Sequence, residues 1–339
     1  RVPLRRSSMD PSEQPSHWLR AYGAYDPSPP LEGSQTVDVA VIGGGYTGLS
    51  AAFNLRTDSP GMSVAVLEGS VVGFGASGRN GGFNMTLFGL EPAVTKALFG
   101  QQRTVEAHRY MERAVDYVRD LIARHNLRSD YEHPGFLRVA TTPGFVRRIQ
   151  HDMEILTQMG ISGLEWWDAD RVRAEITSPI ALGAWWEPRC GLLDPAKQVR
   201  EMKRLAVQAG AQIFERSPVL SVERDRNFLL RTPGGSLSAG RLVFATNAYS
   251  HLFPELRTKE TPAFTHMVIT EPLSPRQQSG IGWAKRQGIE DARNFVHYLR
   301  LTADQRIAIG GSDVSLGYGR GMERDLNPRG FRDLERDLV

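Results

Sequence analysis

The fold is decided by the sequence DVAVIGGGYTGLSAA at residues 38–52, followed by VAVLE at residues 64–68. An apolar, β-branched run leads into a glycine motif and then into small helix-forming residues, which predicts the strand, tight turn and helix of a dinucleotide-binding βαβ unit. Gly43 allows the turn, Gly45 lets backbone amides approach a pyrophosphate, and Gly48 lets the helix lie close to the sheet.

Glu68 ends the second strand of this predicted unit. It follows Gly48 by about 20 residues, where such folds place a carboxylate that accepts hydrogen bonds from the adenosine ribose hydroxyls. NAD and FAD both carry this ribose, so Glu68 leaves both open. The sequence therefore predicts an adenine dinucleotide.

Composition places the chain among ordinary α/β proteins. Its 339 residues, 40% of them hydrophobic, are enough for two domains with a full core. The 41 basic and 38 acidic residues are mixed along the chain and do not indicate a nucleic-acid partner. No apolar run approaches the roughly 18 residues of a membrane-spanning helix. The single cysteine, Cys190, excludes an internal disulfide and favours a reducing, cytoplasmic compartment. The eight histidines show no metal-ligand spacing, so no metal is expected.

Residues 1–35 are interpreted as an N-terminal extension. The first 33 residues are rich in proline and serine and lack the apolar core of a secretory signal. Met9 is hypothesised to be the natural start of translation.

Periodicity predicts the remaining elements. Apolar residues at helical spacing indicate helices over 101–126 and around 149–156. Asp194 and Pro195 open a third helix that Gly210 ends. Residues 331–339 look like the start of an amphipathic helix. Strands are predicted at 135–140, 212–215, 218–222, 227–231, 241–246, 264–270, 298–301 and 306–311.

The sequence GFGASGRNGG at residues 73–82 is too rich in glycine for a helix or a central strand, so a loop is expected. Its freed backbone amides, the cation of Arg79 and the amide of Asn80 suit a pyrophosphate and the edge of a flavin ring. A nicotinamide-dependent dehydrogenase has little use for such a loop. The loop therefore favours FAD over NAD.

With this loop, the chain resembles the flavin amine oxidase family that includes D-amino-acid oxidase, glycine oxidase and sarcosine oxidase, and most of all its gamma-glutamylputrescine oxidase branch. The loop, the sequence GLLDP at 191–195 and the sequence ATNAY at 245–249 occur in the family's order. The resemblance runs from about residue 14 to the end of the chain.

The resemblance implies an α/β fold in which a Rossmann-like FAD-binding domain is interleaved with a second, α+β substrate domain built on a mostly antiparallel sheet. The implied boundaries are 36–92 with 194–250 for the FAD-binding domain, 93–193 with 251–323 for the substrate domain, and 324–339 for the start of a truncated helix.

The resemblance also implies which residues bind FAD. Those at the ADP half are Gly43, Gly45, Tyr46, Thr47, Gly48 and Glu68, with the backbone of Val219 at the adenine and Ala245 and Thr246 near the phosphates. Those along the pyrophosphate and flavin ring are Gly75, Ala76, Ser77, Arg79, Asn80, Gly81 and Gly82.

In this family a primary or secondary amine or amino acid loses its α-hydrogen as hydride to flavin N5, and water hydrolyses the resulting imine. Dioxygen usually reoxidises the flavin and gives hydrogen peroxide. Tyr298, Arg300 and His266 are the candidate catalytic residues, because they lie on predicted strands of the substrate domain. No lysine occurs in the strand at 306–309, where some sarcosine-type oxidases carry one, so oxidase and dehydrogenase behaviour both stay open.

The family continues past residue 339 with a strand that carries a carboxylate-binding arginine and with a further strand and helix of the flavin domain. The chain is therefore expected to be C-terminally truncated and to hold FAD weakly. Two alternatives remain: an NAD-dependent dehydrogenase and a non-catalytic flavin-binding protein.

Overall fold

The glycine-rich turn lies at one edge of a six-stranded sheet in a computed structural model that describes residues 16–87, 89–316 and 327–338. The strands are β1 (Gly33–Ile42), β2 (Val64–Leu67), β3 (Phe83–Asn84), β4 (Phe136–Ala140), β5 (Glu165–Asp168), β6 (Gly183–Glu187), β7 (Gly191–Leu192), β8 (Gln212–Phe214), β9 (Ser221–Arg224), β10 (Phe228–Arg231), β11 (Gly235–Phe244), β12 (Ala263–Ile269), β13 (Gly288–Asp291), β14 (His297–Leu301) and β15 (Ile307–Leu316). The helices are α1 (His17–Tyr22), α2 (Tyr46–Asp58), α3 (Pro92–His125), α4 (Pro143–Gln158), α5 (Ala169–Glu175), α6 (Pro195–Gln208), α7 (Pro275–Ile281) and α8 (Pro328–Leu338).

The first sheet has the order β8-β2-β1-β11-β10-β9. Its first four strands are parallel, and β10 and β9 continue it in antiparallel pairing. Helices α2 and α6 cover one face, where Leu49 and Val199 pack against Val41 and Val66. This is the predicted Rossmann-like unit, with the helices buried on the sheet by their apolar sides.

The second sheet has the order β12-β15-β14-β13-β4-β6-β5 and is antiparallel except for the β13–β4 pair. Helices α5, α7 and α8 contribute to the core on one face, through Val172, Ile281 and Leu338. The opposite face packs against α4 at one end and against α1 and α6 at the other. The mixed α/β class, with a mostly antiparallel second sheet, is confirmed.

Several predicted elements shift in the structure. Helix α3 begins at Pro92 rather than near residue 101, with a break at Gly100, whose φ is 80°. The expected loop at 73–82 contains a 3₁₀ helix, Ala76–Gly78, because Ala76 and Ser77 interrupt the glycines. Strand β9 starts at Ser221, which pairs with Arg231 of β10, rather than at residue 218. A proline at 218 has no N–H for a sheet ladder.

The strands of the two sheets fall on either side of the predicted division of the chain, except that β1 already starts at Gly33, within the expected extension. The domain boundaries themselves stay a prediction. The expected start at Met9 and the stretch 317–326 lie outside the described residues. Within the residues that are described, no helix is both long enough and apolar enough to cross a membrane.

Candidate functional site

Three turns meet at the carboxyl edge of the first sheet. The glycine turn follows β1, Glu68 follows β2, and Ala245 with Thr246 follows β11. Because β1 pairs in parallel with both β2 and β11, all three turns leave the sheet at the same edge. This is the edge at which open α/β sheets bind their ligands.

The glycines of the first turn are required by close backbone contacts. Gly43 has φ of 111°, and a Cβ there would collide with the carbonyl oxygen of Ala245. A Cβ at Gly48 would collide with the carbonyl of Gly43, so the helix can approach the turn only with glycine. At Gly45 a Cβ would come within 2.8 Å of Ser77 Oγ, which also accepts a hydrogen bond from Tyr46 N at 3.0 Å. Ser77 thus links the loop 75–82 to the start of α2.

Backbone donors hold the Glu68 carboxylate at this edge. Its Oε2 accepts a hydrogen bond from Gly44 N at 2.7 Å, and its Oε1 accepts one from Ser70 N at 2.9 Å. Burial raises the pKa of Glu68 above its ordinary value. Val219 is buried close to Glu68. Ser217, two residues before Val219, donates a backbone hydrogen bond to Glu68 O and so brings this part of the chain to Glu68.

The loop 75–82 is fixed by its own side chains. Arg79 Nε donates to Phe74 O at 2.7 Å, and the guanidinium lies over the Phe74 ring at 4.7 Å. Asn80 Oδ1 accepts from Gly82 N at 2.8 Å, and its Nδ2 donates to Ser77 O at 3.1 Å. The loop therefore has a defined shape before any ligand is considered.

Arg300, one of the candidate catalytic residues, holds the end of this loop. Its Nη1 donates to the carbonyls of Gly81 at 3.2 Å, Gly82 at 3.3 Å and Leu193 at 2.5 Å. The guanidinium lies 5.2 Å from the ring of Trp18 on α1, and burial lowers the pKa of Arg300 to about 10. These donors are thus committed to backbone carbonyls.

The structure places Tyr298 beside the same loop. The Tyr298 ring lies 3.1 Å from the position of a Cβ on Gly81 and edge-on to Phe83, with a ring separation of 5.8 Å. Burial raises the pKa of Tyr298, so its hydroxyl stays protonated at neutral pH.

His266 lies on the opposite face of the second sheet from Tyr298 and Arg300. It is paired through Gly311 with His297, the residue before Tyr298, and successive residues of a strand point to opposite faces. Its ring packs edge-on against Phe331 of α8 at 5.4 Å. The structure therefore does not bring His266 together with Tyr298 and Arg300, although the three were expected to form one site.

A cavity of about 60 Å³ lies between α3 and the second sheet, on the Tyr298 face. Thr86 Oγ1 donates to Glu187 Oε1 at 2.6 Å, and Arg138 Nε lies 3.5 Å from Glu290 Oε1. Arg138 also binds Glu91 at 2.8 Å. The cavity is lined by Met85, Thr86, Leu87, Leu90, Pro92, Thr95, Thr104, Ala107, His108, Phe136, Arg138, Leu156, Trp185, Glu187 and Glu290.

Burial shifts the pKa values of three side chains of this cavity, Glu290, Glu187 and His108, toward their neutral forms. It raises the pKa of Glu290 to about 7, against the opposing effect of Arg138 and with smaller contributions from Asp291 and Glu91. Burial also raises the pKa of Glu187 and lowers the pKa of His108.

Sequence analysis did not identify this cavity. The one available signal was a pair of carboxylates inside the buried strand β13, Gly-Ile-Glu-Asp, where apolar residues are usual.

Comparison with known proteins gives a family match and several relatives. A family model described as "DAO: FAD dependent oxidoreductase" matches residues 38–339. Gamma-glutamylputrescine oxidoreductase of Escherichia coli (strain K12) is 32% identical over 302 residues, which are 88% of this chain and 70% of that protein. Glycine oxidase of Bacillus licheniformis is 28% identical over 219 residues, 63% of this chain and 54% of that protein.

Solved structures share the fold. Glycine oxidase from Geobacillus kaustophilus superposes with a TM-score of 0.69 at 19% identity, over 90% of this chain and 77% of that chain. L-proline dehydrogenase from P. horikoshii also gives a TM-score of 0.69 at 19% identity, over 91% of this chain and 77% of that chain.

Proposed function

This chain belongs to the DAO family of FAD-dependent oxidoreductases, and from that membership we propose that it oxidises a primary or secondary amine or an amino acid. The relatives named for gamma-glutamylputrescine and glycine support this donor class. The observation that carries the proposal is the meeting of the glycine turn, Glu68 and the loop 75–82 at one sheet edge, with Tyr298 beside the end of that loop.

The residues at this edge fit FAD. Gly43 and Gly48 leave a turn that any side chain would fill, and the N-terminus of α2 faces it, as an anionic pyrophosphate requires. Glu68 would bind the adenosine ribose, with Val219 at the adenine and Ala245 and Thr246 near the phosphates. The loop 75–82 would follow the pyrophosphate and the ring, and its internal hydrogen bonds reduce the entropy lost on binding.

When bound, FAD supplies the two-electron acceptor for oxidation of the amine, and the imine product is then hydrolysed. The protein's part is positioning. Tyr298 would contact the substrate through its protonated hydroxyl, because it lies on the sheet face next to Gly81. Arg300 would act as a positioning residue through the Gly81 and Gly82 carbonyls rather than by binding a substrate carboxylate.

Dioxygen as final acceptor, with hydrogen peroxide as product, is part of the proposal. A cytoplasmic location is also proposed, on the single cysteine, which is buried.

An anaerobic titration of the flavin-loaded protein tests the proposal. The amines are gamma-glutamylputrescine, glycine, sarcosine and D-alanine, and glycolate serves as the matched compound without an amine. We expect one amine to bleach the flavin absorbance and glycolate to leave it unchanged, with hydrogen peroxide appearing when air is admitted. A bound flavin that no amine bleaches would favour a binding-only protein. A chain that takes up NAD and no flavin would refute the cofactor assignment.

A further inference from the structure

The segment of residues 16–31, called the strap below, runs ahead of β1 and is attached to both ends of the proposed FAD site. One end of that site is the loop 75–82, and the other is the turn 68–72, which begins at Glu68. The sequence predicts only an N-terminal extension here, whereas the strap makes specific hydrogen bonds to buried groups.

At its first end the strap contacts the loop 75–82. Ser16 stands at the N-cap position of α1, where a serine usually caps its own helix. Its hydroxyl instead donates to Gly78 O at 2.9 Å and caps none of the described backbone of α1. Two residues on, the buried ring of Trp18 lies over the guanidinium of Arg300, which holds the last carbonyls of the loop. The start of the strap therefore fixes both the middle and the end of this loop.

At its other end the strap is attached to Glu215, a fully buried residue directly after β8. Its Oε1 accepts a hydrogen bond from the Tyr25 hydroxyl at 2.8 Å, and its Oε2 accepts one from Ser28 N at 2.6 Å. The same carboxylate accepts a hydrogen bond at 2.6 Å from the backbone N of Val72, the last residue of the turn 68–72. Glu215 therefore joins the strap to that turn.

Two further contacts strengthen this second attachment. Lys203 of α6 donates to Glu215 Oε2 at 2.5 Å and to the Tyr25 hydroxyl at 2.8 Å, so the buried carboxylate is paired with a cation. Ser217 Oγ accepts a hydrogen bond from Leu31 N at 2.8 Å, and Ser217 N donates to Glu68 O at 2.8 Å. A buried charge with this many partners is costly to displace, so the end of the strap has a defined position.

Arg200 of α6 connects the two attachments. Its guanidinium lies 4.1 Å from the ring centre of Tyr22, the last residue of α1, and 3.8 Å from that of Tyr25. The residue is 8% exposed, and its Nε and Nη1 have no acceptor among the described residues, so the two rings are principal contacts of this cation. Arg200 therefore fixes α1 relative to Tyr25, and the strap connects its two ends as one unit.

We propose that the strap is part of the cofactor site and sets the position of the loop 75–82 relative to the turn 68–72, with Ser16 and Tyr25 as positioning residues. The inference rests on the proposed FAD site, because FAD would extend from this turn to this loop. A site whose two ends are already held in place loses less conformational entropy when the ligand binds. The strap acts on FAD affinity through the loop and the turn.

The test is a double-mutant cycle on FAD affinity, measured by fluorescence titration of the flavin-free protein. Ser16→Ala removes the hydroxyl at the loop and Tyr25→Phe the hydroxyl at Glu215, and each should weaken FAD binding at least about threefold. Ser279→Ala on α7 and Tyr110→Phe on α3 make the same chemical changes at exposed positions and should keep the wild-type affinity.

The double variant distinguishes the strap from two local effects. Ser16 and Tyr25 hydrogen-bond to different groups, so independent losses would multiply to about ninefold. We expect a loss of about three- to fivefold, because releasing either end of the strap already frees the other. Ser16→Thr keeps the hydroxyl and should retain the wild-type affinity.

Each other outcome is decisive. Losses that multiply, single variants with the wild-type affinity, or a loss that Ser16→Thr shares with Ser16→Ala would overturn the inference and leave the proposed function standing. If Tyr25→Phe does not fold, Ser217→Ala takes its place in the cycle, because it removes the acceptor of Leu31 N. If FAD binds but no amine is oxidised, the proposed function fails and the cycle still decides the role of the strap. A wild type that takes up no FAD would overturn both.

Discussion

Replacing Arg300 with lysine should destabilise the protein and weaken FAD binding. The guanidinium is buried and donates to the carbonyls of Gly81, Gly82 and Leu193. Lysine keeps the positive charge, but its side chain is one atom shorter, so its ammonium cannot occupy the position of Nη1, which makes all three contacts. The substitution therefore separates the positioning role from a role in binding a substrate carboxylate, which lysine could still perform.

The magnitude follows from the carbonyls that lose their donor. Gly82 O also accepts a hydrogen bond from Leu193 N, whereas the described residues give Gly81 O and Leu193 O no other donor. Lysine can serve one of these two oxygens, so one charge-assisted hydrogen bond is lost, which costs about 1.5–3 kcal/mol. If Gly81 and Gly82 become mobile, ordering them again on FAD binding costs about 1–2 kcal/mol per residue. A loss of at least about tenfold in FAD affinity follows.

Urea denaturation and a fluorescence titration with FAD measure the two effects. Arg231→Lys is the matched control, because Arg231 forms an exposed ion pair with Glu223 and such pairs contribute at most about 1 kcal/mol. An Arg300→Lys variant with the unfolding free energy and the FAD dissociation constant of the control would refute the positioning role.

Two further predictions concern the turn and the cavity. Gly45→Ala should cost about 1–3 kcal/mol of unfolding free energy in urea, because its Cβ would come within 2.8 Å of Ser77 Oγ; adding Ser77→Ala should recover part of the loss, and additive losses would show that this contact is not the cause. Burial raises the folded-state pKa of Glu290 to about 7, so its stabilising contribution is complete below pH 4.5 and falls as pH rises toward 7. The stability of the wild type relative to Glu290→Gln should therefore decline over this range by about 1.4 kcal/mol per unit of pKa difference, and a pH-independent difference between the two denaturation series would contradict the shift.

The sequence was sufficient for the dinucleotide edge because its determinants are local. The glycine turn and Glu68 lie within one βαβ unit, and the loop 75–82 follows directly. Backbone geometry requires the glycines there, as the positive φ of Gly43 illustrates. The family resemblance then supplied the interleaved second sheet.

The substrate side was less predictable because it depends on strand register. His266 was grouped with Tyr298 and Arg300 because all three lie on strands of one sheet, but the face of each side chain follows from pairing. Strand β12 carries an irregularity between Phe264 and His266, which alternation of residue types does not reveal. Glu290 lines the cavity only because β13 pairs with β4, and no local sequence pattern predicts this pairing.

The central pairing of the first sheet also affects how the chain folds. Strands β1 and β11 lie side by side although Ser34 and Ser236, which are paired across them, are 202 residues apart in the sequence. On a ribosome that adds about 5–20 residues per second, one edge of β1 waits roughly 10–40 seconds for its partner. During that time an apolar strand edge is open to other chains. The pairing of β1 with β11 is therefore a late, long-range step of folding, and we expect the growing chain to need chaperones until β11 has been synthesised.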